Sequence, residues 1–321
     1  MSLARRAAFL DYASLDLGDL DPAPLKAVFS EFHVYPATAP DEIIERLQAV
    51  EVAIVNKVSL TADCLSACPS LKLVLVSATG TNNVDLDAAR QYGITVCNCQ
   101  GYGTPSVAQH TFALLLALAT RLSDYQRDVQ AGRWQEAKQF CLLDYPIMEL
   151  EGKTLGILGH GELGGAVARL AEAFGMRILL GQLPGRPVRE GYIPLEALLP
   201  QVDALSLHCP LTDATRNLID APQLAAMKPT AFLINTARGG IVNEQALADC
   251  LRSGHLGGAA TDVLTQEPPK DGNPLLAHDI PRLIVTPHSA WGSREARQRI
   301  IGQLTDNATA FFAGAPTRTV C

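Results

Sequence analysis

Three stretches in the last third of the chain carry the side chains best suited to chemistry: INTARGG (234–240), TDVLTQEPP (261–269) and VTPHSAW (285–291). Each stands at or just beyond the end of an apolar run, the edge at which open α/β sheets bind ligands. Arg238 offers a forked guanidinium, which grips two oxygens of one molecule better than a lysine can. His288 offers an imidazole that exchanges protons near neutral pH. Glu267 offers a carboxylate able to orient that ring and favour its charged form. The trio suits reduction of a 2-keto acid. The arginine would hold the carboxylate and keto oxygen, and the histidine would protonate that oxygen as hydride reaches the carbon. Singly, each residue has a plainer reading as a loop cap, a surface acid or a packed core histidine. Their joint placement at strand ends favours the catalytic one.

Hydride chemistry needs a nucleotide, and LGILGHGELG (155–164) supplies a place for one. An apolar strand precedes the turn, and a helix with apolar residues at 163, 166, 167, 170, 171 and 174 follows it. In a G-x-G-x-x-G turn Gly159 permits the tight bend and Gly161 lets the backbone approach a pyrophosphate. Gly164 lets helix and strand close up, while the helix N-terminus faces the anion. A purely structural strand–turn–helix is the alternative. About 20 residues on, an acid ordinarily holds the ribose 2′-hydroxyl of NAD; here RILLGQLPGRP places neutral Gln182. Without that carboxylate nothing repels a 2′-phosphate. Arg186 and Arg189 could pair with one, although both equally suit a solvated loop. The expectation is NAD(P)H, with a lean to NADPH.

The elements that must position these residues alternate between short apolar runs and helical patterns, as in parallel sheets covered by helices. Strands are expected at AAFLD (7–11), FHVY (32–35), VAIVN (52–56), KLVLVS (72–77) and ITVCN (94–98). A second series follows at GKTLGILG (152–159), RILLG (177–181), DALSLH (203–208), AFLIN (231–235), GAATDV (258–263) and RLIVT (282–286). PLKAVFSEF and PDEIIERLQAV read as helices with prolines near their starts. TPSVAQHTFALLLALATRL (104–122) is apolar on most of its circumference and is expected buried where two domains meet, and 293–314 reads as a long terminal helix. The fold class is α/β, with two doubly wound parallel-sheet domains, a Rossmann cofactor domain and a flavodoxin-like substrate domain, and a cleft between them. The substrate domain would take residues 1–101 and 289–321, the cofactor domain 102–288, with hinges near 100–104 and 288–292.

Composition excludes several classes. A net charge of −7 gives no support to nucleic-acid binding. The longest apolar stretch, FALLLALA, is far short of the ~20 residues that span a bilayer. MSLARRAAFLDYASL resembles a secretion signal only superficially, because Asp11 cuts the apolar run, and AAFLDY reads as a strand. The eight cysteines show no C-x-x-C pair and fit buried free thiols in a reducing cytoplasm. His160 is expected in solvent, His110 packed and hydrogen-bonded, and His208 at a strand end near the nucleotide. No histidine spacing suits zinc, so no metal is expected.

At GKTLGILGHGELG, LHCPLT, INTARGGIVNEQAL, AATDVLTQEP and TPHSAW the sequence resembles the D-isomer-specific 2-hydroxyacid dehydrogenases, from about residue 50 to the terminal helix. NKV (56–58) and HSAW (288–291) resemble most the glycerate dehydrogenase/hydroxypyruvate reductase branch. The resemblance implies Arg238 as substrate-binding and catalytic, Glu267 as the partner of the histidine, and His288 as acid/base. It implies that Ala78, Thr79 and Gly80 present N–H groups to the substrate carboxylate, a role small residues with exposed amides also suit physically. It places Glu162, Leu163, Gln182, Cys209, Pro210, Thr215, Thr236, Ala237 and Asp262 around the cofactor, with Thr104 and Val107 near the nicotinamide. Asn56 and Lys57 would face the substrate, although Lys57 equally suits a solvated surface. Gln109 stands where many relatives carry glutamate. The segment GRWQEAKQFCLLDYP (132–146) would join a homodimer interface, or else pack internally. The implied reaction is hydroxypyruvate to D-glycerate or glyoxylate to glycolate, in the cytoplasm. A D-lactate or phosphoglycerate dehydrogenase shares these motifs, although no added regulatory domain is expected after residue 314. A nucleotide-sensing corepressor-like protein would keep the cradle without needing His288 for its main role.

Overall fold

A computed structural model describes residues 5–321, so the first four residues of the signal-like stretch lie outside the described residues. The chain divides into two compact units: residues up to Gly103 together with Gly292–Cys321, and Thr104–Trp291.

The first unit is built on a five-stranded parallel sheet: β1 (Arg6–Phe9), β2 (Glu31–Val34), β3 (Val52–Val55), β4 (Leu73–Val76) and β5 (Thr95–Cys97), in the order β2-β1-β3-β4-β5. β3 and β4 are buried along their whole length. That is why VAIV and LVLV are unbroken apolar runs rather than alternating ones. The order reverses at β1/β3, the switch point where such sheets bind ligands. The expected helices after β1 and β2 are short: Ala23–Lys26, and Ile43–Leu47 behind a 3-10 turn at Pro40–Glu42. The terminal helix, Arg294–Phe312, closes the unit, with Arg297 paired to Asp19 at 2.8 Å.

The second unit holds seven parallel strands: β6 (Thr154–Leu158), β7 (Arg177–Gly181), β8 (Tyr192–Ile193), β9 (Ala204–Leu207), β10 (Phe232–Asn235), β11 (Gly258–Thr261) and β12 (Leu283–Val285). Their order is β12-β11-β10-β9-β6-β7-β8, the doubly wound dinucleotide-binding arrangement with its switch point between β6 and β9. Apolar layers cover both faces of this sheet. Leu155 and Ile157 belong to one and Leu205 and Leu207 to the other. The Thr104–Thr120 helix packs into the first layer through Phe112, Leu115 and Leu118. Two elements differ from expectation. β8 is a two-residue strand with no apolar run to announce it, and a separate polar helix, Leu122–Gln130, follows a left-handed Arg121 (φ +57°).

Candidate active site

In register across the second sheet, Asn235 lies beside Thr261, and Thr261 beside Val285. The loops leaving these three strands carry Arg238, Glu267 and His288. A Cβ on Gly239 would lie 1.9 Å from the Leu264 carbonyl oxygen. Glycine at 239 therefore lets the ARGG loop sit directly against the loop that carries Glu267. Asn235 braces the same turn: its Oδ1 accepts from the Ala237 N–H at 3.1 Å, and its Nδ2 donates to the Arg238 carbonyl at 2.9 Å. Arg238 is exposed, with Nη1 donating to the Ala237 carbonyl at 2.7 Å.

His288 and Glu267 meet. Nδ1 of the histidine lies 2.5 Å from Glu267 Oε2, and the other carboxylate oxygen accepts from the Leu264 N–H at 2.7 Å. A backbone donor thus fixes the carboxylate, and the carboxylate fixes the ring. The backbone of His288 is left-handed (φ +53°) and its N–H donates to the Asp262 carbonyl at 2.8 Å. The Asp262 side chain is buried and engaged with the same segment, accepting from Thr286 Oγ1 and from the N–H groups of Ser289 and Ala290.

The glycine turn sits at the β6/β9 switch point. Gly159 has φ +98°, and a Cβ there would stand 2.6 Å from the His208 carbonyl carbon and 2.7 Å from the Cys209 nitrogen. A Cβ on Gly164 would meet the Gly159 oxygen at 2.2 Å, so the Glu162–Ala173 helix packs against the turn itself. Gly161 differs, because a Cβ there meets nothing within 4 Å. Packing does not explain glycine at 161, whereas an approaching ligand does. Gly161 also caps the helix without a side chain, leaving the first-turn N–H groups to an anion. These features fit a dinucleotide pyrophosphate.

Residues around the turn fall into pairs. Thr104 Oγ1 donates to Glu162 Oε1 at 2.7 Å, and Leu163 is half-buried beside it. Val107 and Thr236 both meet the Thr111 hydroxyl at 2.8 Å, while Ala237 is buried. Pro210 and Thr215 meet across the loop after β9, the threonine hydroxyl donating to the proline carbonyl at 2.7 Å. Cys209 is buried, which pushes its thiol up to about 11. His208 bonds Ser206 Oγ at 2.8 Å through Nε2, while Nδ1 is buried without a partner among the described residues, and burial pushes the ring down to about 4. His160 is exposed. Gln182 turns its amide to its own loop, donating toward the carbonyls of Leu183, Arg186 and Pro187 and accepting from the Arg189 N–H at 3.4 Å. Arg186 is exposed on that loop, and Arg189 lies 5.8 Å from the Tyr192 ring.

In the first unit, Asn98 Nδ2 and the Cys99 N–H hold the carbonyls of Thr79 and Ala78. The N–H groups of Ala78, Thr79 and Gly80 donate to nothing among the described residues. Asn56 is buried, and its amide donates to Ser14 Oγ at 2.9 Å; Lys57 is exposed. A residue that sequence reasoning passed over organises this loop. The buried Asp11 carboxylate accepts from the N–H groups of Asn56, Lys57 and Val58. Its position at the end of β1, beside the switch point, was the available signal. Among the described residues no group of three or more His, Cys, Asp or Glu side chains could hold a metal, and no helix is long and apolar enough to cross a membrane.

Residues 112–290 match the family described as D-isomer specific 2-hydroxyacid dehydrogenase, NAD binding domain. The chain is 46% identical to a glycerate dehydrogenase of Methylorubrum extorquens, over 99% of each chain. It is 36% identical to a hydroxypyruvate reductase of Blautia hydrogenotrophica, over 97% of this chain and 98% of that one. The chain belongs to this family. A solved structure of an acyclic imino acid reductase in complex with NADPH and D-Arg superposes with a TM-score of 0.84 at 28% identity, covering 98% of this chain and all of that one. As a D-2-hydroxyacid dehydrogenase, the protein interconverts a 2-keto acid and a D-2-hydroxy acid with a nicotinamide nucleotide.

Proposed function

We propose that this dehydrogenase reduces hydroxypyruvate to D-glycerate, and glyoxylate to glycolate, with NADPH preferred to NADH. The observation that carries the reading is the 2.5 Å contact between His288 Nδ1 and Glu267 Oε2, on the loops after β12 and β11, with Arg238 on the loop after the adjacent β10. Glu267 engages Nδ1, so the proton delivered to substrate leaves from Nε2, and the carboxylate stabilises the cationic ring before it is given up. The guanidinium of Arg238 holds the carboxylate and keto oxygen, polarising the carbonyl. The three N–H groups at 78–80, which donate to nothing among the described residues, are available to bind a carboxylate. Reduced nicotinamide, when bound, supplies the hydride that the carbonyl carbon accepts. His288 ends the step neutral and is reprotonated from solvent.

The NADPH preference rests on the absence of a carboxylate at 182 and on Arg186 and Arg189 in the loop that Gln182 braces. The imino acid reductase with which this fold superposes was solved with NADPH. We further propose a cytoplasmic homodimer. The eight unpaired cysteines favour a reducing compartment, and a cluster of exposed apolar side chains in 122–147 favours self-association.

The test is loss of reduced-nicotinamide absorbance with hydroxypyruvate, glyoxylate and pyruvate, using NADPH and NADH, for wild type and His288→Ala. Expected are turnover of the first two acids and a drop of roughly 10²–10⁴-fold in His288→Ala. No oxidation with any keto acid, or an unimpaired His288→Ala, sinks the catalytic reading. A preference for NADH sinks only the assignment of the 182–189 loop.

A further inference from the structure

We propose that His110 is a positioning residue for the catalytic histidine, acting through Thr286 and Asp262; the proposal rests on His288 being the proton donor. His110 lies in the first half of the Thr104–Thr120 helix, between Gln109 and Thr111, with a side chain only 25% exposed. Its Nε2 is 3.0 Å from Thr286 Oγ1 and 3.5 Å from Asp262 Oδ1. Thr286 has one proton, and it goes to Asp262 Oδ1 at 2.5 Å, a short charge-assisted bond. The threonine oxygen is then left as an acceptor, so His110 Nε2 carries the hydrogen that it receives.

Asp262 translates this contact into the position of His288. Its Oδ1 accepts from the Ser289 N–H and its Oδ2 from the Ala290 N–H, both at 2.9 Å. Its backbone carbonyl accepts from the His288 N–H at 2.8 Å. Residues 286–290 therefore wrap around one buried carboxylate, and His288, at φ +53°, is the residue bent to make the wrap. A left-handed backbone on a non-glycine residue persists only where surrounding bonds over-determine it. Among the described residues His110 is the one basic side chain within 4.0 Å of Asp262. A buried carboxylate needs each of its partners, because it has no water to replace a lost one.

A residue that merely filled space here would be replaceable by any of like volume. A positioning residue needs a donor where Nε2 stands, which glutamine can supply and phenylalanine cannot. Kinetics with hydroxypyruvate at saturating reduced nucleotide are compared for wild type, His110→Gln, His110→Phe, Thr286→Val, the His110→Phe/Thr286→Val double variant and His288→Ala. His110→Phe and Thr286→Val are each expected to lower kcat by roughly 10- to 100-fold, the loss that follows small misplacement of a reacting group. KM for the keto acid should stay within about threefold, His110→Gln should keep kcat within about threefold, and the double variant should fall no further than the worse single one, because the pair acts as a unit. Equal losses in His110→Gln and His110→Phe, or losses that multiply in the double variant, overturn the proposal. If His288→Ala is inactive while His110→Phe turns over normally, the positioning role alone fails. If His288→Ala keeps its turnover, the reading of the proton donor fails instead.

Discussion

Glu267 divides its two oxygens between a backbone N–H and the His288 ring, so the acid is held before it holds the histidine. That order matters, because an orienting group free to rotate would orient nothing. His208 shows the opposite use of imidazole. Its Nε2 bonds Ser206, its Nδ1 has no partner among the described residues, and burial holds the ring neutral. The pH consequence follows from its pKa of about 4 in the folded chain against an ordinary 6.5. Between those values the unfolded chain binds a proton that the folded one refuses. The neutral ring's stability contribution is thus complete above about pH 6.5 and is lost as pH falls towards 4. Each tenfold change in proton affinity is worth about 1.4 kcal/mol, so the loss reaches up to ~3 kcal/mol. Urea denaturation at several pH values should show His208→Gln losing less stability than wild type on acidification; parallel slopes for the two proteins would refute this.

At the scale of elements, the strand–turn–helix at β6 separates glycines that packing requires from one, Gly161, that packing leaves unexplained. Gly164→Ala drives a methyl group to 2.2 Å from the Gly159 oxygen and should destabilise the protein by roughly 1–3 kcal/mol, as overpacking does. Gly161→Ala meets open space and an extended backbone (φ −95°, ψ −153°), so its melting temperature should match wild type while nucleotide affinity, read by fluorescence titration, falls at least tenfold. Equal nucleotide affinity in Gly161→Ala and wild type would remove the cradle. The strands themselves were legible because parallel strands buried on both faces must be continuous apolar runs, as VAIV and LVLV are. The Leu122–Gln130 helix was not, because LSDYQRDVQ buries only Asp128 and leaves its few apolar side chains, Leu122 and Val129 among them, outside the core. At the site, Arg238, Glu267 and His288 could be named because few residue types do their chemistry. Asp11 was read only as a break in an apolar run, and His110 only as packed and hydrogen-bonded; their partners lie 45 or more residues away, reached through backbone N–H groups and one hydroxyl, and no spacing records that.

Among the described residues, six of the twelve exposed large apolar side chains fall within 26 residues: Leu122, Val129, Trp134, Phe140, Leu143 and Ile147. Phe140 is 88% exposed and Leu143 78%. A disordered linker could tolerate that, but this segment is built. Asp128 pairs with Arg133 at 2.6 Å, the Tyr125 hydroxyl donates to the Tyr145 carbonyl at 3.1 Å, and Trp134 Nε1 donates to the Phe140 carbonyl at 2.9 Å. Holding the backbone in one shape while leaving its apolar side chains in water makes physical sense if another surface covers them. A second copy of the chain is the simplest occupant, since a two-fold interface lets the same patch cover its counterpart. Sedimentation should therefore give a dimer at micromolar concentration, and Phe140→Asp with Leu143→Asp should shift it to monomer, because two buried charges at the patch centre cost several kcal/mol. Both substitutions lie at side chains that touch little of their own unit, so the variant should keep the wild-type circular dichroism spectrum. A wild-type protein that sediments as a monomer, or a double variant that stays dimeric, would assign these side chains to something other than self-association.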